Sequence, residues 1–193
     1  MHLKRAIEEF DQHMTVERNL SDQTRRNYLS DLRQYRAFVE SRSGSTEEGE
    51  AIPTDPLLIR FFLASLYREK LRKTSVSRKV AALRSFYRYL LREGKVRFNP
   101  AELLQRPRCE QYVPVVLSAD EMVALLRDHF PADETGLRDR AIIELFYSSG
   151  IRLSELTGLD AADVDFAGGL VKVRGKGRKE RIVPAGKPAL QAQ

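Results

Sequence analysis

Three residues in the last third of the chain have types and spacing suited to work on a phosphate: Arg152 just after Gly150, Glu155 three residues later, and Lys176 between Gly175 and Gly177. A guanidinium set where one helical pattern ends and another begins can reach into a cleft beside helix-terminal N–H groups. Its fork of donors matches phosphate oxygens. Glu155 shares the helical face of Arg152, so its carboxylate can hold the guanidinium, or a neighbouring one, in a fixed orientation. Lys176, at the tip of a glycine-flanked turn, can swing toward a bound substrate and deliver a proton from its ammonium. Singly, the same residues also fit a helix cap and an ordinary turn, so the elements that would position them matter.

Those elements follow from hydrophobic periodicity. Leu3, Ile7, Phe10 and Met14 recur at helical spacing, as do Tyr28, Leu32, Tyr35 and Val39, whose helix starts after Ser21 as a cap. The stretch 41–56 has the composition of a loop, and Pro56 opens a third helix through Ile59, Phe62 and Leu66. Thr74 is the expected cap of a fourth helix, carrying Val76, Val80, Leu83, Phe86 and Leu90 and ending at Gly94. Four helices with short connections predict a helical bundle over 1–94. Pro100, Pro107 and Pro114 forbid a continuous helix over 95–115, which reads as an extended interdomain linker.

A second domain follows over 116–193. Ser118 with Glu121 forms a capping box for a helix through Met122, Leu125 and Leu126. A further helix from about Leu137 ends at Gly150, and a short one after Arg152 ends at Gly158. The period then changes to two: "LVKVR" (170–174) and "ERIVP" (180–184) alternate as strands around "GKGRK", which permits a tight hairpin. The fold class is therefore mainly α with a small β-hairpin, a four-helix domain followed by an α+β one.

Composition narrows the function. The chain has 193 residues, 42% hydrophobic and 31% charged, which is globular, and it lacks an apolar run long enough to span a bilayer or an N-terminal secretory pattern. A cytoplasmic location without membrane partners is the expectation. Cys109 is the one cysteine, and His2, His13 and His129 are scattered without ligand spacing, so no metal site is read. "GGLVKVRGKGRK" lacks the register of a phosphate-binding loop for nucleotides, and no serine sits in a nucleophile elbow, so no cofactor is read either. The net charge of +6 is concentrated: Arg68 to Arg97 holds eleven Lys or Arg against Glu69 and Glu93, a local +9. Such a block points to a polyanion, because each neutralised phosphate releases condensed counterions.

The motifs together resemble one family. "SSGIRLSELTGLDAADVD" (148–165) followed by "VRGKGRKERIVP" (173–184) is similar to the first half of the catalytic domain of the tyrosine recombinases, the lambda-integrase family, and especially the bacterial Xer-type recombinases. "SDQTRRNYLSDLRQYRAFVE" (21–40) and "KTSVSRKVAALRSFYRYLLREG" (73–94) resemble the family's SAM-like helical core-binding domain. "NPAELLQRPR" (99–108) and "VPVVLSADEM" (113–122) resemble its linker and the entry to its catalytic domain. "FNPAELL" and "LDAADVDFAGG" look more like the C-type partner than the D-type.

The resemblance implies roles. Arg152 matches the family's first catalytic arginine on the scissile phosphate, Lys176 the hairpin lysine that protonates the departing 5′ oxygen, and Glu155 the supporting acid. A tyrosine attacks the phosphate to form a 3′-phosphotyrosyl link, with neither metal nor nucleotide. The His/Lys-x-x-Arg box, a later His or Trp and that tyrosine lie beyond this hairpin in the family. The chain stops at Gln193 before them, so it is expected to contain no nucleophile and, alone, to bind DNA without cutting it. Thr24, Arg25, Tyr28, Lys73, Ser75, Ser77, Arg78 and Arg84 are the candidate contacts to double-stranded DNA. For the full-length parent the resemblance implies chromosome dimer resolution with a second related recombinase in a tetrameric synaptic complex. A phage or mobile-element integrase, a non-catalytic DNA-binding protein and a helical protein-interaction module are the alternatives.

Overall fold

The computed structural model describes residues 2–16, 20–43, 51–108, 110, 113–175, 177, 179–186 and 189. The chain divides into two compact units, Met1–Tyr112 and Val113–Gln193. No helix among the described residues is long and apolar enough to cross a membrane.

The first unit is built from α1 (Leu3–Val16), α2 (Asp22–Ser43), α3 (Pro56–Arg68) and α4 (Lys73–Arg92). The stripes read from the sequence form its core. Leu3, Ile7, Phe10 and Met14 meet Leu32, Tyr35, Val39, Ile59, Phe62, Leu66, Val76, Val80, Leu83, Phe86 and Leu90, all buried, while Tyr28 is only half-buried at its edge. Phe10 packs edge-on against Phe86 with ring centroids 5.5 Å apart, an arrangement favoured by the aromatic quadrupole. Tyr87 donates its hydroxyl to the Pro53 carbonyl (2.6 Å), which makes Tyr35 the donor in the 3.1 Å contact between the two hydroxyls. Burial raises the Tyr87 pKa well above its ordinary value, with Tyr35 adding to the shift.

Two expectations are corrected. Helix α4 starts at Lys73 with Arg72 as its cap residue, since the Arg72 carbonyl already accepts from Val76 (3.1 Å), so Thr74 lies inside the first turn. The segment after α4 is not an extended tether over its first part. Val96, Ala101 and Leu104 are buried in the helical core, and Arg84 donates to the backbone carbonyls of Ala101 (3.3 Å), Glu102 (3.1 Å) and Leu104. Asn99 closes the turn from within, accepting from the Ala101 N–H at 3.0 Å. The prolines prevent a helix here, and an arginine on α4 supplies the donors that the turn's carbonyls would otherwise lack.

A charged cluster joins α2 to α4 beneath the surface. Lys79 donates to Asp31 (2.7 Å) and Gln34 (2.5 Å), while Arg78 donates to the other Asp31 oxygen (2.5 Å) and to the Asn27 carbonyl (3.1 Å). Asp31 and Lys79 are nearly solvent-free, with side chains 2% and 7% exposed; Lys79 has Asp31 as its counter-charge, and Asp31 has Lys79 and Arg78.

The second unit contains α5 (Ala119–Asp128), α6 (Glu134–Ser149), α7 (Leu153–Leu156), a 3₁₀ turn at Ala161–Asp163, and a three-stranded antiparallel sheet of β1 (Val164–Asp165), β2 (Leu170–Arg174) and β3 (Glu180–Pro184) in the order β1-β2-β3. The Ser118–Glu121 capping box is present, and Asp133 caps α6 from one turn ahead of the expected start. Strand β1 had no signal in the sequence, since two residues cannot display an alternation. Register pairs Val171 with Val183 and Val173 with Arg181, so these four share the sheet face that packs on Ile151, Leu145, Phe146 and Leu156.

Replacing Asp31 by leucine leaves Lys79 buried without its counter-charge. Urea unfolding of the chain is expected to show a loss of about 3–5 kcal/mol from the helical unit, the usual cost of breaking one side of a buried pair. The surface pair Arg5–Glu9, 75% and 28% exposed, serves as the control, and Arg5→Ala should change stability by less than about 1 kcal/mol.

Candidate functional site

The corner that carries Arg152 is set by three consecutive residues. Gly150 ends α6 in the left-handed region (φ 61°), with its N–H bonded to the Phe146 carbonyl at 2.9 Å. A Cβ at Gly150 would meet nothing within 4 Å, so glycine is needed for its φ and not for space. Ile151 then inserts into the second core, 5% exposed, against Val171 and Val173. With Ile151 pinned inward, Arg152 is turned outward in an extended conformation as the residue that opens α7, and its side chain is 72% exposed.

Glu155 is the counterpart, with only 1% of its side chain exposed. Its carboxylate accepts four hydrogen bonds: from the Arg152 N–H (2.8 Å), Arg152 Nη1 (3.0 Å), Arg181 Nη1 (2.6 Å) and Arg181 Nη2 (2.9 Å). The helix-terminal N–H expected to face a substrate is thus taken by Glu155. Arg152 engages the carboxylate through Nη1, and its exposed side chain can present the Nε–Nη2 edge to an anion. Glu155 is held well below the usual carboxylate range, at about 2 in place of 4.5, first by Arg181 and then by the Arg152 N–H, with burial opposing.

Arg181 was not read from the sequence as part of this site. Its signal was present: in "ERIVP" it occupies the same face as Val183, so strand alternation turns it inward, and an inward arginine needs an acid. A second cluster fastens the base of the hairpin. Arg174 donates to Asp163 (2.8 Å) and Glu180 (3.4 Å), and Lys172 pairs with Glu180 (2.9 Å). Lys172 first, then Arg174, lowers the Glu180 pKa. Lys176 itself lies outside the described residues, as do Cys109 and Tyr112.

In the helical unit the basic block divides into two sets. Lys79, Arg78 and Arg84 bond to groups of the fold, and Lys95 pairs with Glu9. Arg68, Lys70, Arg72, Lys73, Arg88, Arg92 and Arg97 are exposed, Arg92 being paired with its neighbour Glu93 at 3.0 Å. Of the candidate DNA contacts, Arg25 is drawn onto α1 by both oxygens of Asp11, and Thr24 shares a 2.9 Å hydrogen bond with Ser21. Tyr28, Ser75 and Ser77 are half-buried. Lys73 remains at the surface, paired loosely with Glu110, which is 92% exposed. Asn27 and Arg78 bring the early turns of α2 and α4 together, whereas Arg84 faces the 101–104 turn. Helix α4 has neither a side-chain cap nor an acid in its first turn.

Two family models match the chain: "Phage integrase, N-terminal SAM-like domain" over residues 7–94 and "Phage integrase family" over 116–193. Among curated relatives, tyrosine recombinase XerC of Syntrophus aciditrophicus is 50% identical over 96% of this chain and 61% of its own length. XerC of Pelobacter propionicus is 49% identical over 98% of this chain and 62% of its own length, and XerD of Chlorobaculum tepidum 39% identical over 97% and 61%. The chain therefore spans about three-fifths of the length of these relatives. The fold is that of lambda integrase in crystals with DNA, at a TM-score of 0.68 and 18% identity over 95% of this chain and 60% of that one.

The depressed titration of Glu155 has a definite sign. An unfolded chain takes up this proton near pH 4.5 and the folded unit resists until about 2. The stabilisation is fully present above pH 4.5 and is lost as the pH falls from there toward 2. Thermal melting of the second unit should show this acid-side loss, and Glu155→Gln should lower the neutral-pH melting temperature while flattening the dependence across that window.

Proposed function

The chain belongs to the phage integrase family of tyrosine recombinases, and we propose that it supplies the DNA-binding unit and the first phosphate-binding elements of a Xer-type, C-like site-specific recombinase. The observation that carries this reading is the Arg152–Glu155 pair: a guanidinium 72% exposed, fixed by a carboxylate that is 1% exposed. A cation held this way meets an incoming phosphate without first being ordered, which is what stabilising the charge of a pentacoordinate phosphorus requires. The 50% and 49% identity to two XerC proteins supports the Xer assignment over a phage integrase.

In this reading double-stranded DNA lies against the early turns of α2 and α4. Arg72, Lys73 and the uncapped N-terminus of α4 take phosphates, and Ser75, Ser77 and Arg78 lie beside them. Thr24, Arg25 and Tyr28 flank that surface, while Arg84 is engaged by the 101–104 turn. Arg152 binds the non-bridging oxygens of the scissile phosphate. A tyrosine hydroxyl gives up its proton to solvent as its oxygen attacks phosphorus, the bond from phosphorus to the 5′ oxygen breaks, and Lys176 supplies the proton that the 5′ oxygen takes up. The phosphodiester energy is retained in the 3′-phosphotyrosyl link, so a second strand can be joined with no external energy source. The reading assigns the nucleophile to the share of the relatives' length that this chain does not span. Of the described tyrosines, Tyr35, Tyr87 and Tyr89 are buried, which unfits them for attack on DNA, and the exposed Tyr67 and Tyr147 are carried within α3 and α6. A paired recombinase in a tetrameric synapse, acting in the cytoplasm on chromosome dimers, completes the proposal.

Gel shifts of the 193-residue chain on duplex DNA should weaken with salt at a log–log slope of about −0.9 per phosphate engaged, and Lys73→Ala should reduce that slope by about one. Affinity indifferent to salt would refute the phosphate contacts. In the full-length protein, Arg152→Ala should lower covalent-adduct formation on a nicked suicide duplex by roughly 100-fold or more while leaving affinity nearly unchanged. An adduct formed at the unaltered rate would remove Arg152 from the chemistry.

A further inference from the structure

We propose that Arg181 is a positioning residue which, through the buried Glu155 carboxylate, ties the β2–β3 hairpin to the corner bearing Arg152, so that hairpin and corner are set as one unit. Both arginines meet on a single carboxylate. Arg181 donates to Oε1 at 2.6 Å and Oε2 at 2.9 Å, and Arg152 donates to the same two oxygens from Nη1 and its backbone N–H. A guanidinium engaged by both of its terminal nitrogens allows one relative orientation, whereas a single ammonium contact would allow many. Arg181 sits opposite Val173 in the ladder, so its Cα is fixed by the sheet and its reach to Glu155 reports the position of the hairpin.

The loop itself touches the same pair. A Cβ added at Gly175, the residue directly before Lys176, would lie 3.2 Å from Glu155 Oε1 and 3.6 Å from Arg181 Nη1. The Gly175 N–H is in turn bonded to the Lys179 carbonyl at 2.7 Å, closing the loop base over the carboxylate. A displacement of the hairpin therefore presses on Glu155, and Glu155 transmits it to the backbone and side chain of Arg152. Arg181 acts only through this carboxylate, and that distinguishes it from a further phosphate ligand.

The inference rests on the recombinase reading for its catalytic readout, so the test has two arms. In the 193-residue chain, Arg181→Met should raise the Glu155 carboxyl titration seen by carbon NMR toward its ordinary value, with Arg181→Lys intermediate. An unmoved titration overturns the proposal alone. In the full-length protein, Arg181→Met should slow single-turnover adduct formation on the suicide duplex roughly tenfold to hundredfold, the range usual for groups that orient a functional ligand. Arg181→Lys should recover part of the rate, DNA affinity should stay within about twofold, and the far-UV circular dichroism of the variants should match that of the unmutated protein, which verifies that they fold. In a Glu155→Gln background Arg181→Met should cause no further loss. A full additional loss there would make Arg181 a direct ligand and overturn the proposal, as would an unchanged rate in the wild-type background. Absence of any adduct from the unmutated full-length protein would instead refute the recombinase reading, and the catalytic part of this inference with it.

Discussion

A carboxylate shut away from water is costly unless its oxygens are filled by donors, and the second unit is arranged around meeting that demand at Glu155. Four N–H donors converge on it from α7 and β3, elements separated by 26 residues between Glu155 and Arg181. Removing any one donor would leave part of a buried negative charge uncompensated, so the short helix, the hairpin and the Arg152 corner are mutually dependent. The low Glu155 pKa is the thermodynamic expression of that dependence. The apolar residues beneath, Ile151, Val171 and Val173, hold the frame, but Glu155 fixes the angle at which the frame presents its cation.

The helical unit resolves a related conflict differently. Eleven cations between Arg68 and Arg97 would repel one another if all faced the same solvent. The fold takes Lys79, Arg78, Arg84 and Lys95 into ion pairs or backbone contacts and leaves Arg68, Lys70, Arg72, Lys73, Arg88, Arg92 and Arg97 at the surface. The internal set locks α2 to α4 and the 101–104 turn to α4, and the external set faces the solvent from which a phosphate would approach. A count of charge in the sequence therefore overstates the surface available to DNA.

How much of this was legible follows from what each residue's partner is. The four core stripes could be read because a helix buries neighbours three and four positions apart, so Phe10, Tyr35, Phe62 and Phe86 announce themselves locally. Strands β2 and β3 could be read for the same reason at period two, and Gly150 as a helix end because its left-handed φ favours glycine. The return of residues 96–104 could not, because Arg84 and Asn99 act on carbonyls 15 to 20 positions away and leave no periodic trace. Arg181 was missed at the site for a subtler reason. Its alternation placed it inward, but its partner Glu155 lies 26 positions earlier, so no local pattern joins the two.

The pairing of Arg152 with an acid raises the question of whether Glu155 cancels the attraction for phosphate. Coulomb attraction alone would say that it does, since the carboxylate lies at hydrogen-bond distance from the guanidinium. Arg181 answers that objection: with two guanidiniums on one carboxylate, the cluster keeps a net positive charge, and the more exposed of the two, at 72% against 39%, is Arg152. The carboxylate thus removes rotational freedom from Arg152 without removing the charge of the site. A lysine in place of Arg152 could not meet both demands, because a single ammonium bonded to Glu155 has no second fixed edge left to present. The requirement for arginine at this corner is therefore geometric, and it arises from the buried acid as much as from the phosphate.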